Sequence, residues 1–275
     1  MSNRNRKQRG KGEGGEYDPA LHVMDVPSRG LSHRVLGWHT NRVHHLLSDL
    51  EYCFFLVMEW HQEVTDFREQ YPLPLEETAA IADQLGVKHP THPRTKDLVQ
   101  MTTDALVTVT RGPQIRDVAR TLKYADALAS MRTLEKFEIE RLFYQAHAVD
   151  WGIVTERDIP MVLAKNVEFI HRARWVSSCA PLTEVEVRRV ARTLKPEILK
   201  GVSPLRDLTS WCDDALGFTD GTSLRVVRHM IANRHLSVDM ASPIKPTEPL
   251  KLIQATKNID THLGTNIPIE ERKTA

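Results

Sequence analysis

Apolar residues first recur at helical spacing just beyond residue 48. Leu50, Phe54, Val57 and Met58 share one side of a helix predicted from Asp49 to about Gln62. Ser48-x-x-Glu51 at its start is a capping box. Thr65 to Tyr71 reads as extended until the Pro72-Leu73-Pro74 break, and Leu75 to Leu85 as a helix stopped by Gly86. Met101 to Thr110, MTTDALVTVT, is rich in β-branched residues, and Arg111-Gly112-Pro113 is a turn signal. Ile115 to Lys123 then alternates at Val118, Arg120 and Leu122, so the two runs form a hairpin. A helix over Thr133–His147 and a buried-type strand over Trp151–Thr155 follow. Helix, antiparallel strands, helix and strand predict an α/β core.

The pattern changes after about Ile170. Thr183-x-x-Glu186 caps a helix running to Lys195, and Ser203-Pro204 starts a second. Thr222 or Ser223 starts a third, Leu224 to Ala232. His235–Met240 and Leu250–Ile253 read as strands separated by a proline-rich loop. Three helices and a β-hairpin in that order are a winged-helix pattern.

Hairpin register turns this pattern into chemistry. With Thr110 facing Ile115, Asp104 lies opposite Thr121. Lys123 is then the diagonal neighbour of Asp104, roughly 7–8 Å away, a gap that a long side chain crosses. A bulge would shift this register by one. Glu51 on the apolar helix, Asp104 on the first strand and Lys123 at the end of the second are the parts of a magnesium-dependent phosphodiesterase. Carboxylates hold a hard cation, and a lysine is a compact charge beside the attacking water or the developing anion. Glu51 has a second, compatible use, because the fourth position of a capping box closes a helix N-terminus.

Composition narrows the classes. The chain has 275 residues, 41% hydrophobic and 27% charged, enough for one large or two ordinary domains. It has no apolar run long enough for a membrane span and no secretory signal, which points to the cytoplasm. Cys53, Cys179 and Cys212 are scattered and odd in number, as suits a reducing compartment. His89-x-x-His92 sits in a proline-flanked loop without further ligands, so it does not argue for zinc. The net charge of +1 is unevenly distributed. Residues 1–12 carry five Lys/Arg and no acid; residues 13–170 carry 16 against 24 Asp/Glu, and residues 171–275 carry 16 against 12. An acidic core does not hold DNA by charge alone; the basic arm, the tail domain or partner proteins must supply that affinity.

The run RVHHLLSDLE, the later DFREQYPLP, the MTTDALV strand and the helix RTLEKFEIER resemble the TnsA family over about the first 160 residues, in the same order. TnsA is the endonuclease subunit of heteromeric cut-and-paste transposases. The resemblance implies a restriction-endonuclease-like PD-(D/E)xK fold and Mg2+-dependent hydrolysis of the 5′ strand at each transposon end, with Mn2+ as an alternative cation. It implies two partners, a TnsB-type transposase that cuts and joins the 3′ ends and a TnsC-type ATPase regulator. Glu51, Asp104 and Lys123 match the family's helix carboxylate, strand aspartate and catalytic lysine. Two residues before the lysine this fold usually has Gln or Glu; here it is Thr121, a weak ligand, with the Leu122 backbone carbonyl as the alternative. His44 and His45 lie within the most specific string, and a structural role is expected for both.

The family's C-terminal domain resembles a winged helix where the TnsC contact is expected. Arg225, Arg228 and Arg234 on or after the third helix are therefore candidates for partner protein or DNA. The expected organisation is a disordered basic tail over residues 1–15, an endonuclease domain over 16–170, a winged-helix-like domain over 171–254 and a tail over 255–275. Two other classes share these features: a stand-alone restriction-like or repair nuclease, and a catalytically weak DNA- or protein-binding scaffold.

Overall fold

The structure is a computed structural model that describes residues 9–25 and 31–253. The chain forms two compact units that divide between Ile159 and Pro160. In the first, a hairpin of β1 (His33–Leu36) and β2 (Val43–Leu46) leads into helix α1 (Asp49–Trp60). A four-stranded sheet in the order β3 (Val64–Pro72), β4 (Thr102–Arg111), β5 (Gln114–Leu122) and β6 (Asp150–Val154) forms the centre. α2 (Leu75–Leu85) joins β3 to β4, and α3 (Met131–Ala146) joins β5 to its parallel neighbour β6.

Register assigns the faces. Phe67, Val107 and Val118 pair in one row, and Phe54 and Phe55 of α1 pack against Phe67. The neighbouring row, with Leu106 and Ala119, joins Ala82 of α2 and Ile139, Phe143 and Tyr144 of α3 in one apolar cluster. Thus α1 covers one face of the sheet and α2 with α3 the other, a mixed α/β arrangement that fits a restriction-endonuclease-like core. The β4–β5 pairs run from Arg111–Gln114 to Ala105–Arg120, the expected register. From α1 to β6 the expected strand and helix bounds agree with the observed ones to within about two residues, a usual scatter at element ends.

One buried network joins the hairpin to the sheet. Glu69 on β3 is fully buried. Both of its oxygens accept from the Arg42 guanidinium, at 2.8 and 2.5 Å, while His44 Nδ1 lies 2.9 Å from Oε2 and the His45 N–H donates to Oε1. Thr40 Oγ1 holds the other nitrogen of His44 at 2.8 Å. Burial pushes the Glu69 carboxyl up, but His44 and Arg42 outweigh it and hold the group well below the ordinary range. His44 thus has the structural role expected of it. Gly37, at the end of β1, is required by the same network, since a Cβ there would lie 2.5 Å from His44 Nε2.

The expected disordered tail over residues 1–15 is corrected for its described part. Gly10 N–H donates to the Asp18 carbonyl, Gly14 N–H to Asp66 Oδ2 and Ala20 N–H to the Gln70 carbonyl. The buried Tyr17 hydroxyl donates to the Glu69 carbonyl. This strap covers the outer edge of β3, whose backbone groups would otherwise go unpaired. Its lack of apolar periodicity hid it, because it is held by polar and backbone contacts. Residues 1–8 lie outside the described residues.

Among its described residues the second unit holds four α-helices, α4 (Met161–His171), α5 (Glu184–Lys200), α6 (Leu205–Leu216) and α7 (Thr222–Ala232). Residues 161–170, expected in the first domain, belong here, in a helix α4 that the sequence pattern did not predict and that packs against α7. The capping box of Thr183 and Glu186 is present, but α5 continues through Pro196 rather than stopping at Lys195. Leu194 and Ile198 are both buried, so the apolar face carries the helix past the missing N–H. Asp213 of α6 accepts from the N–H groups of Gly221 and Ser223 and so caps α7 from outside. The expected C-terminal hairpin is reduced to one bridge, Val238 with Leu252. The expected tail from residue 255 lies outside the described residues. Cys53, Cys179 and Cys212 form no disulfide, and no described helix is long and apolar enough to cross a membrane.

A second buried carboxylate, Glu140 of α3, faces the sheet. The hydroxyls of Thr103 and Thr121 each donate to its Oε1 at 2.6 Å. Burial pushes this carboxyl up to about 7, against those two hydrogen bonds and with help from the charge of Asp104.

Two outcomes follow from these networks. Glu69→Gln leaves Arg42 buried without its counter-charge and should cost about 3–5 kcal/mol of unfolding free energy. Urea unfolding at neutral pH checks this, and an unchanged midpoint would contradict it. For Glu140, the folded chain keeps a proton that the unfolded chain releases above pH 4.5. Its contribution to stability is therefore full below that pH and is lost as pH rises through about 7. Relative to Glu140→Gln, the parent should lose on the order of 3 kcal/mol across this window. A stability difference that is flat in pH would rule the assignment out.

Candidate active site

Glu51 enters the site from the first turn of α1. Ser48 is the N-cap: its oxygen accepts from the Glu51 N–H at 3.2 Å, and its hydroxyl donates to Glu51 Oε1 at 2.9 Å. The Leu47 N–H donates to Oε2 at 2.9 Å. The carboxylate is therefore held by Leu47 and Ser48 at the entry to the helix, without the Ser48 N–H that a full capping box would add, and still reaches the sheet. Asp104 comes from β4, one position beyond the last β4–β5 pair. Its Oδ2 accepts from the Leu122 N–H at 2.7 Å, which ties it to the end of β5.

A residue absent from the sequence reading of the site joins the two acids. The Gln70 side-chain nitrogen lies 3.3 Å from Glu51 Oε2 and 3.4 Å from Asp104 Oδ1. Glu51 and Gln70 are buried, and Asp104 is half-buried. Burial and then the charge of Asp104 push the Glu51 carboxyl up to about 7, against hydrogen bonds from Leu47, Ser48 and Gln70. Asp104 is raised as well, by burial, against the Leu122 N–H, the Lys123 charge and the Gln70 amide. Lys123 follows β5, is exposed at its side chain, and donates its backbone N–H to the Val154 carbonyl. Its cation is close enough for Asp104 to feel it.

The structure brings Glu51, Asp104 and the Lys123 charge together. It does not bring the Thr121 hydroxyl to the pair. That hydroxyl donates to Glu140 and accepts from Trp151 Nε1 at 3.2 Å. Glu140 was also missed, although a Glu three residues before Phe143 and four before Tyr144, on the apolar side of a helix, is the signal that finds it. For Gln70 the signal is the run Arg68-Glu69-Gln70, too polar for a buried strand unless all three side chains are engaged.

Two hard oxygen donors that the fold brings to one amide, and whose proton affinity burial raises, are the donor set that a divalent cation completes, so Glu51 and Asp104 fit one. Among the described residues no third His, Cys, Asp or Glu joins them in a cluster that could hold a metal. His89 is engaged with Thr78 Oγ1 at 3.0 Å, and His92 accepts from the N–H groups of Arg94 and Thr95.

The three candidate arginines have separate surroundings. Arg225 donates to the Ala180 carbonyl and to Thr222 Oγ1. Arg228 lies over the Phe169 ring at 4.7 Å, and burial followed by the nearby Arg172 charge lowers its pKa. Arg234 is exposed beyond the end of α7.

Residues 61–156 match the family model described as TnsA-like endonuclease N terminal, and residues 158–240 match TnsA endonuclease C terminal. The join between the two falls where the structure divides. The chain is also 38% identical over 271 residues to the transposon Tn7 transposition protein TnsA of Escherichia coli, across 98% of this chain and 93% of that relative. With an α/β core that gathers two acids and a lysine, and with that likeness along nearly all of its length, the chain belongs to the TnsA family of transposon endonucleases.

Proposed function

We propose that this chain is the subunit that hydrolyses the 5′ strand at each transposon end, in a Mg2+-dependent reaction that Mn2+ also supports. It acts in the cytoplasm with a TnsB-type transposase and a TnsC-type ATPase regulator. The observation that carries this reading is the meeting of Glu51 and Asp104 at one amide, with the Lys123 cation acting on Asp104.

Glu51 and Asp104 hold the cation, and the Leu122 backbone, already hydrogen-bonded to Asp104, offers its carbonyl as a further oxygen ligand. The Thr121 hydroxyl is left out of this set because Glu140 engages it. When bound, the cation supplies Lewis acidity toward the phosphate and lowers the pKa of a water. Lys123 contributes a point charge beside the developing anion. Glu51 and Asp104 both have raised proton affinity without a cation, so loading the site displaces a proton and is favoured at higher pH.

The second unit, with three successive helices closed by the Val238–Leu252 bridge, is read as a winged-helix variant. Its role is to dock the regulator or DNA through Arg225, Arg228 and Arg234. The acidic balance of residues 13–170 supports this division, since the catalytic part has little affinity of its own for a polyanion.

Asp104→Ala and Lys123→Ala should each abolish 5′-strand cutting in a reconstituted reaction while the partner still cuts and joins the 3′ strands. The lysine change alone should cost on the order of 10²–10³ in rate. With the 5′ strands intact, products should shift from simple insertions to fused replicons, as sequencing across both junctions will show. Unchanged simple insertions with Asp104→Ala would mean the site is elsewhere.

A further inference from the structure

Gln70 combines three features. It is buried, 3% exposed, in the last part of β3. Its backbone is left-handed, with φ of 48°, a conformation that L residues other than Asn and Asp seldom adopt. Its carbonyl and both ends of its side-chain amide have partners: the carbonyl accepts from Ala20 N–H, Oε1 accepts from the Thr102 hydroxyl, and the amide nitrogen faces Glu51 and Asp104.

The left-handed turn has a direct effect on side-chain direction. Successive residues of a regular strand point to opposite faces. Here Glu69 reaches Arg42, just before β2, and His44 within it, and Gln70 reaches Glu51 of the adjoining α1. Two neighbours on one strand thus both serve the β2–α1 side, one as its structural joint and the other at the acid pair. A carboxylate accepts and does not donate, so only the nitrogen end of the amide satisfies both acids at once, and Thr102 takes the oxygen end. The strap supports the conformation by occupying the carbonyls of Glu69 and Gln70.

From this geometry we infer that Gln70 is a positioning residue: its amide bridges Glu51 and Asp104 and sets their spacing for the divalent cation. The inference rests on the metal-dependent reading given above. Gln70 touches neither the phosphate nor the attacking water; it acts through the two acids. Removing an outer partner of this kind typically costs about 10–100-fold in metal affinity. Glutamate is the informative isostere, because it replaces two donors by a third negative group at the same place.

The test is Mn2+ titration calorimetry on the full chain, with thermal unfolding in the absence and presence of Mn2+. Gln70→Gly removes the bridge while relieving the left-handed backbone. It should keep or raise the cation-free melting temperature yet weaken Mn2+ by about 10–100-fold. Gln70→Glu should melt lower than the parent without cation and gain more than the parent does when Mn2+ is added. Parent-like Mn2+ affinity in Gln70→Gly, or a parent-like cation-free melting temperature and Mn2+ gain in Gln70→Glu, overturns the inference. Asp104→Ala separates the two claims. If it weakens Mn2+ and Gln70→Gly does not, only the role of Gln70 fails. If it leaves Mn2+ affinity unchanged, the metal reading fails and the inference with it.

Discussion

The ionic joint at Glu69 is the contact on which the rest of the first unit depends. One fully buried carboxylate gathers Arg42, His44 and the His45 backbone and so fixes β2 against β3. The position of α1 follows, since only Leu47 and Ser48 separate it from β2. Glu51 in the first turn of α1 is then held opposite Gln70, the residue next to Glu69. A buried ion pair adds little net stability over an apolar replacement, but losing one partner is costly. Its value here is specificity of register: it lets residues 42–51 and 66–71 meet in one way. The same network explains the RVHHLLSDLE string, in which Arg42 and His44 serve the joint and Glu51 serves the site.

Around this joint the chain gathers more negative charge than burial tolerates. Glu51, Asp104 and Glu140 are all raised, and the charge of Asp104 contributes to the other two. The compensation is distributed: a Leu122 N–H and the Lys123 cation on Asp104, the Ser48 cap on Glu51, threonine hydroxyls on Glu140. Glu140 and Glu69 differ in outcome although both are deeply buried. Glu69 has cations and stays ionised, whereas Glu140 has neutral donors and keeps its proton to about pH 7.

Much of this was legible in the residues, and the limits have physical causes. Periodicity located α1 to α3 and β3 to β6, and the Arg111-Gly112-Pro113 turn placed Asp104 beside the end of β5 without a bulge in that pair. The capping box at Thr183 was read directly; at Ser48 only the cap of the Glu51 N–H forms, and the Glu51 carboxylate takes the Leu47 N–H and the Ser48 hydroxyl instead. What escaped depends on contacts distant in the chain. The residue 9–20 strap is held by backbone and polar groups and shows no pattern. Pro196 signals a helix end, yet the buried face continues past it. Thr121 was weighed as a ligand because its neighbour in α3, Glu140, cannot be known from hairpin register alone. Gln70 was hidden twice: it lies in a strand, and its left-handed backbone breaks the alternation by which strand residues are assigned to faces.

The most direct test of the central claim, that Glu51 and Asp104 form one cation site, is anomalous diffraction from crystals grown with Mn2+. The account predicts a single strong anomalous peak within about 2.0–2.6 Å of an oxygen from each carboxylate, the range for hard cations and oxygen ligands. A peak elsewhere in the chain with none between these two residues, at saturating Mn2+ and neutral pH, would contradict it.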